Sequence, residues 1–185
     1  MKLTLGLFVF LFAFSTAAPN VPSAQTGKPH EATYVSVADV QATVNRPAQA
    51  GGLPGVNPQP NIRVVDAGGY NVAIGAIHRP QTPPGVAAVH YKVSEVYHVI
   101  DGAATLVTGG TMVNAKPRSP DEVSVKFEDG PGASGISIQG GTSQRIKAGD
   151  VVVIPAGVPH WFSAIEGSIT YLVVRFDPGR VLPTK

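Results

Sequence analysis

The chain has 185 residues, with 14 Lys and Arg against 12 Asp and Glu, 21 Gly, 17 Pro and no Cys. That length suffices for one domain with a real core. The near balance of charge and the lack of any Lys/Arg cluster exclude an electrostatic nucleic-acid surface, and the absence of Cys excludes disulfides as a source of stability.

Residues 1–18, MKLTLGLFVFLFAFSTAA, have the form of a secretory signal peptide. Lys2 supplies the positive start, Leu3 to Phe14 the apolar run, and Ser15-Thr16-Ala17-Ala18 a small-residue cleavage region. The apolar run is shorter than the ~20 residues a membrane span needs. Cleavage near Ala17 or Ala18 is therefore expected, with a secreted product, extracellular or periplasmic, and no membrane attachment afterwards. Removing Lys2 leaves 13 Lys and Arg against 12 acidic residues, a net charge of +1. No Asn-x-Ser/Thr triplet occurs, so N-glycosylation is not expected.

The N-terminal extension spans residues 19–60. Pro19 to Pro29 is polar and Pro-bearing, and His30 reads as a solvated residue. Ser36 to Asn45 predicts a short helix: Ser36 can cap it with Asp39 three residues on, and Val37, Val40 and Val44 share one face that would pack over the outside of the domain. Pro47 stops it, and 47–60 is a Pro/Gly-rich linker.

From Asn61 the pattern turns to short β-rich runs separated by turn signals, the all-β pattern. The expected strands are NIRVVD, YNVAIGAIHR, VAAVHYK, EVYHVI and AATLVTGG, with turns at Gly68-Gly69, QTPPG and Asp101-Gly102. A loop from Thr111 to Pro120 carries Lys116 and Arg118, followed by runs EVSVKFED and GISIQGG, then SQRIKAGD. Asp150 to Ile154, bounded by Gly149 and Pro155, reads as a buried strand. SITYLVVRF closes the sheet, and residues 177–185 read as a tail.

Pro155-Ala156-Gly157 forces a tight turn, because Pro fixes φ and Gly accepts positive φ. His160 follows directly, so its direction is well fixed, as a metal ligand requires. This stretch, Gly-x5-Pro-x-Gly-x2-His from Gly149 to His160, resembles the second motif of the cupin family. Upstream, HYKVSEVYHVIDG (His90 to Gly102) is similar to the first, with Glu95-x6-Gly102 and His90 five residues before the Glu. The resemblance covers roughly 61–176 and implies a single double-stranded β-helix (jelly-roll) barrel preceded by a short helix.

The same resemblance implies a divalent metal ion, iron, manganese or zinc, held by His90, Glu95 and His160 with open positions. The cupin pattern has a further histidine two residues before His90, where this chain has Ala88. Three outcomes follow: a true three-ligand site, a replacement ligand, or no metal. His78 and His98 are the replacement candidates. His78 shares a face with Ile74 and Ala76 and could look inward; His98 alternates against Glu95 and fails that test if Glu95 faces in. Strand parity puts Tyr97 beside Glu95 in the pocket, with Phe162 as a further lining residue, and requires a turn between His90 and Glu95 near Lys92 to Ser94. Arg79 and Lys92 lie near the presumed mouth, where either could hold an anionic substrate, and read first as solvated charges.

Fold does not dictate chemistry. The function expected from the resemblance is a secreted metal-binding protein acting on a small molecule by oxidation, lyase or isomerase chemistry. The alternative is a non-catalytic barrel that binds a small ligand or serves as a dimer module, and a homodimer is expected in either case.

Overall fold

The computed structural model describes residues 31–46, 61–81 and 85–185. The expected signal peptide, His30, the 47–60 linker and the centre of the QTPPG turn lie outside the described residues.

Helix α1 (Val37–Val44) starts where the sequence places it. Ser36 Oγ accepts from the Asp39 amide at 3.1 Å, and the Asp39 carboxylate accepts from the Ser36 amide at 3.1 Å, which completes the capping box. The helix lies against strand β2 (Asn71–Pro80). Its buried residue is Thr43, whose hydroxyl is satisfied by Asp39 O at 2.8 Å, whereas Val37 is exposed. The Val stripe therefore does not wholly face the sheet.

The strands that build the barrel are β1 (Arg63–Asp66), β2, β3 (Ala87–His90), β4 (Ser94–Thr108), β7 (Gly132–Gly135), β9 (Thr142–Lys147), β10 (Val151–Ile154) and β11 (His160–Asp177). β11 is the hub. Its later half pairs antiparallel with β2, it pairs with β4 along most of its length, and its first residue meets β3 at Ala88. β4 carries β10 and β9 on its far side, β2 carries β1, and β3 leads through β7 to β6 (Lys116–Pro117). Short strands β5 (Thr111–Val113) and β8 (Ser137–Gln139) form a separate ribbon. The main core is the inward face of this wrapped sheet: Ile77, Tyr97, Val99, Leu106, Phe162, Ile169, Tyr171 and Val173, closed by Ile146 and Ile154. This is the all-β barrel with one short N-terminal helix that the strand pattern predicts.

Four local expectations differ from the structure. Asp101-Gly102 is not a turn, because β4 runs straight through it. Gly102 sits at φ +75°, and a Cβ there would meet Ser168 O at 2.0 Å, opposite the register shift of β11 between Glu166 and Ile169. The glycine marks a bulge where two strands press together. EVSVKFED does not form a strand but helix α2 (Val123–Phe127). Its alternating Val-Ser-Val-Lys-Phe buries only Val125; Glu122 stands at the N-cap without a side-chain cap bond, and its carboxylate reaches back to accept from the Ser119 amide at 2.7 Å in the preceding turn. The expected loop over 111–120 contains β5 and β6, and GISIQGG is divided between the end of β7 and β8. Finally, β10 is not wholly buried. Among the described strands it pairs only with β4, so Val151 and Val153 face solvent while Ile154 enters the core.

The segment after β11 folds back on the barrel. Asp177 accepts from the amides of Val181 and Leu182, and Leu182 is fully buried with Val64, Ala73 and Val93.

Candidate metal centre

The two sequence motifs meet because one turn is stapled to both strands it must align. Pro155 to Val158 forms a turn closed by Val158 N–H to Pro155 O at 3.1 Å, with Gly157 at φ +83°. The Gly157 amide donates to His90 O at 2.7 Å, and the Ala156 amide donates to Ser94 Oγ at 3.0 Å. The end of β3 and the start of β4 are thus tied to the loop that delivers His160 at the start of β11. The turn at Tyr91–Val93 absorbs the odd spacing between His90 and Glu95, as parity requires.

His90, Glu95 and His160 are all buried and converge. Glu95 Oε2 lies 3.6 Å from His90 Nε2 and 3.5 Å from His160 Nε2. One donor atom from each of the three lies within 4.8 Å of the others. Ligands bonded at ~2.0–2.2 Å to one ion stand roughly 3–3.5 Å apart, so the donor set fits a first-row ion. His78 and His98 are not part of it. His78 lies on the outer face of β2 with Ala76, because the alternate residue Ile77 enters the core, and its Nδ1 bonds Thr170 Oγ1 at 2.9 Å. His98 is exposed and faces out beside Val151. The residue at the missing-histidine position, Ala88, pairs with His160 itself.

Two groups that sequence reasoning missed complete the surroundings. Arg175, opposite Glu95 in register on β11, donates through Nε to Glu95 Oε1 at 2.8 Å and through Nη1 to Asn61 Oδ1 at 2.6 Å. Asn61 in turn donates to Phe127 O and Glu128 O, tying this network to the end of α2. The signal for Arg175 was available: it shares the inward parity of Tyr171 and Val173, and a charge on the inner face of a barrel strand must have a partner. The second group is Arg118. Its Nη2 lies 2.8 Å from His90 Nδ1 and its Nη1 donates to Asp129 at 2.9 Å, while its buried Nε has no partner. Nothing in its local sequence marks it.

Tyr97 and Phe162 line the interior as expected. The Tyr97 hydroxyl donates to Glu95 Oε2 at 2.8 Å, and its ring stacks near parallel to Phe162 at 6.4 Å and tilts on Tyr171 at 4.5 Å. Arg79 is a correction to the expectation of a solvated charge. It points inward with Ile77, donates through Nε to Tyr171 Oη at 2.9 Å and places its guanidinium carbon 5.3 Å from the centre of the Phe162 ring. Lys92 is exposed.

Electrostatics set the protonation of these groups. Burial alone would raise the Glu95 pKa, but the His90 imidazole, the Arg175 guanidinium, the His160 imidazole and the Tyr97 hydroxyl outweigh it and hold the carboxyl well below its ordinary range. Burial pushes His160 down to about 4, against the pull of Glu95, so the ring is neutral at pH 7. Burial, reinforced by the Glu95 charge, pushes Tyr97 up, so it stays protonated.

The ring tautomers follow from their partners. His160 Nδ1 lies 3.2 Å from Val158 O. A carbonyl only accepts, so Nδ1 carries the proton and Nε2 presents a bare lone pair to the carboxylate. Two acceptors facing at 3.5 Å leave a place for a cation. His90 differs. A guanidinium only donates, so Nδ1 accepts from Arg118 and Nε2 carries the proton toward Glu95. Coordination through His90 Nε2 requires Nδ1 to take the proton and turn to Asp129 Oδ2, 3.7 Å away.

The cupin family model matches residues 61–179, well over half the chain. No curated protein sequence matches. Solved structures similar to this chain include an uncharacterised conserved protein with a double-stranded β-helix domain from Klebsiella pneumoniae, at 18% identity and a TM-score of 0.46, covering 82% of this chain and 94% of that one. BH2720 from Bacillus halodurans is similar at 11% identity and a TM-score of 0.43, covering 86% and 89%. KdgF from a Halomonas species is similar at 15% identity and a TM-score of 0.44, covering 73% and 90%.

Proposed function

The chain belongs to the cupin family, and from that premise we propose that it is a secreted metal-binding protein that acts on a small molecule inside its barrel. The observation that carries this reading is the meeting of two imidazole Nε2 atoms at one buried carboxylate oxygen. The ion is iron, manganese or zinc, each suited to two imidazoles and one carboxylate with open positions. When bound, it would supply Lewis acidity or redox capacity for oxidation, lyase or isomerase chemistry.

The chain's own residues have definite parts. His160 offers a preset lone pair, Glu95 offers an ionised oxygen, and Arg175 fixes the other oxygen so that the carboxylate cannot rotate away. Tyr97 holds its proton and is a donor to Glu95, not a base. Phe162, Tyr171 and Ile169 pack with Tyr97 in the buried core. Secretion is supported by the form of residues 1–18. A homodimer is supported by the outward Val151 and Val153 on β10, whose free edge needs cover.

A second reading, a ligand-binding barrel without turnover, is favoured by one observation: Arg118 already occupies the back of His90, so the site is partly satisfied by the chain itself. Elemental analysis of the untagged mature protein separates the readings. Near-stoichiometric iron, manganese or zinc that is lost in His160→Ala supports the metal centre, and metal-free wild-type protein of full stability overturns it. An oxygen-consumption screen on the metal-loaded protein with small acids and phenols then distinguishes an oxidase from a binder.

A further inference from the structure

Arg79 is the unspent charge of the barrel interior. Its Nε is used by Tyr171 Oη, and its plane lies over Phe162. Its terminal amino groups have no hydrogen-bond partner among the described residues, and no carboxylate among them lies within ion-pair distance. The contrast with its neighbours is direct. Arg175 is paired with Glu95, and Arg118 is paired with Asp129. Glu95, the interior carboxylate, is therefore already matched, and Arg79 is left as an excess positive charge.

Arg79 is half-buried, and its unpartnered terminal amino groups keep contact with solvent, where an anion can reach them. Its bond to Tyr171 and its place over the Phe162 ring restrain the fork, so less freedom is lost when a planar partner binds. The aromatic chain Phe162, Tyr97, Glu95 connects it to the candidate metal centre: Tyr97 stacks on Phe162 and donates to Glu95.

We propose that Arg79 is the anchor for a small organic carboxylate, gripped by its two terminal amino groups with the ligand's body directed toward the His90, Glu95 and His160 cluster. A planar carboxylate matches the two N–H donors that remain; phosphate can pair with the same fork, and the test below separates the two. This deepens the proposed function by naming the substrate class, and rests on that reading only for the location of a small-molecule site in the barrel.

The test uses metal-stripped protein, so that a carboxylate cannot bind through the ion. Propionate and its neutral isostere propionamide are titrated by ligand-observed NMR against wild type, Arg79→Met and Arg79→Lys. A charge-assisted pair predicts that propionate binds about tenfold or more tighter than propionamide. Arg79→Met should abolish that preference, and Arg79→Lys should retain part of it. Equal affinities for the two probes in wild type, or an unchanged preference in Arg79→Met, overturn the proposal. Should Arg79→Met not fold, the wild-type ratio and Arg79→Lys decide. Inorganic phosphate is run in parallel, and Arg79-dependent binding of phosphate without propionate overturns the carboxylate assignment. Metal content of Arg79→Met should match wild type. Metal uptake without carboxylate preference therefore sinks this inference alone, and carboxylate preference without metal uptake sinks the metal centre alone.

Discussion

His160 and His90 approach the same carboxylate oxygen from two sides but are held from behind by opposite partners. Behind His160 stands the carbonyl of Val158, fixed by the turn that delivers the ring. Behind His90 stands the guanidinium of Arg118, carried on the segment between β6 and α2. One arm is preset as a ligand by backbone. The other becomes one only if a side chain yields and Asp129 takes over. The atom behind a ring thus decides its readiness as much as the distance in front of it.

The largest expected effect tests what the two arms share. Arg175→Met strips Glu95 of its buried partner and should cost about 3–5 kcal/mol of stability in chemical denaturation. A loss below about 1 kcal/mol would mean that the two histidines, and not Arg175, hold the carboxylate.

Next comes pH, measured on metal-stripped protein. His160 titrates near 4 when folded against about 6.5 unfolded, so the unfolded chain binds the extra proton between those values. Its contribution is complete above about pH 6.5 and is lost as pH falls toward 4, on the order of 3 kcal/mol. Glu95, whose folded pKa is depressed, adds a further loss below its ordinary range. His160→Gln should flatten the upper part of this profile, and an unaltered slope between pH 6.5 and 4 would show that His160 is not its source.

The third pair of variants addresses the asymmetry directly, by calorimetric zinc titration. Asp129→Ala removes the alternative acceptor behind His90 and should weaken zinc about 10–100-fold. Arg118→Gln releases Nδ1 and should tighten zinc by about fivefold, the scale of one hydrogen bond. Shifts of the same sign in both variants would break the comparison between the arms. The smallest effect is expected at His98→Ala, within about 0.5 kcal/mol in stability and without change in metal content, because the ring stands outside the barrel.

Much of this was legible from residue order. The turn residues Pro155 and Gly157 with His160 behind them, and the parity of Glu95 and Tyr97, place the site because a strand's period of two leaves little freedom once one residue is assigned. For His78 the same rule leaves inward and outward undecided until Ile77 joins the core. α2 escaped because five alternating residues look like a strand and no side-chain cap marks where the helix starts. Arg118 was beyond reach: its contact with His90 joins residues 28 apart across a loop, and no local pattern encodes it.

The position of β11 has a consequence for how the molecule comes into being. Its 18 residues begin with His160, include Arg175 and sit between β2 and β4 in the middle of the sheet. β2 and β4 can meet β1, β9 and β10 earlier, but each leaves one edge open until this segment arrives. The barrel should therefore fold slowly, with long-range pairing as its kinetic bottleneck. Chains halted before residue 160 would expose the edges of β2 and β4 that take β11, which makes them natural clients for a holding chaperone.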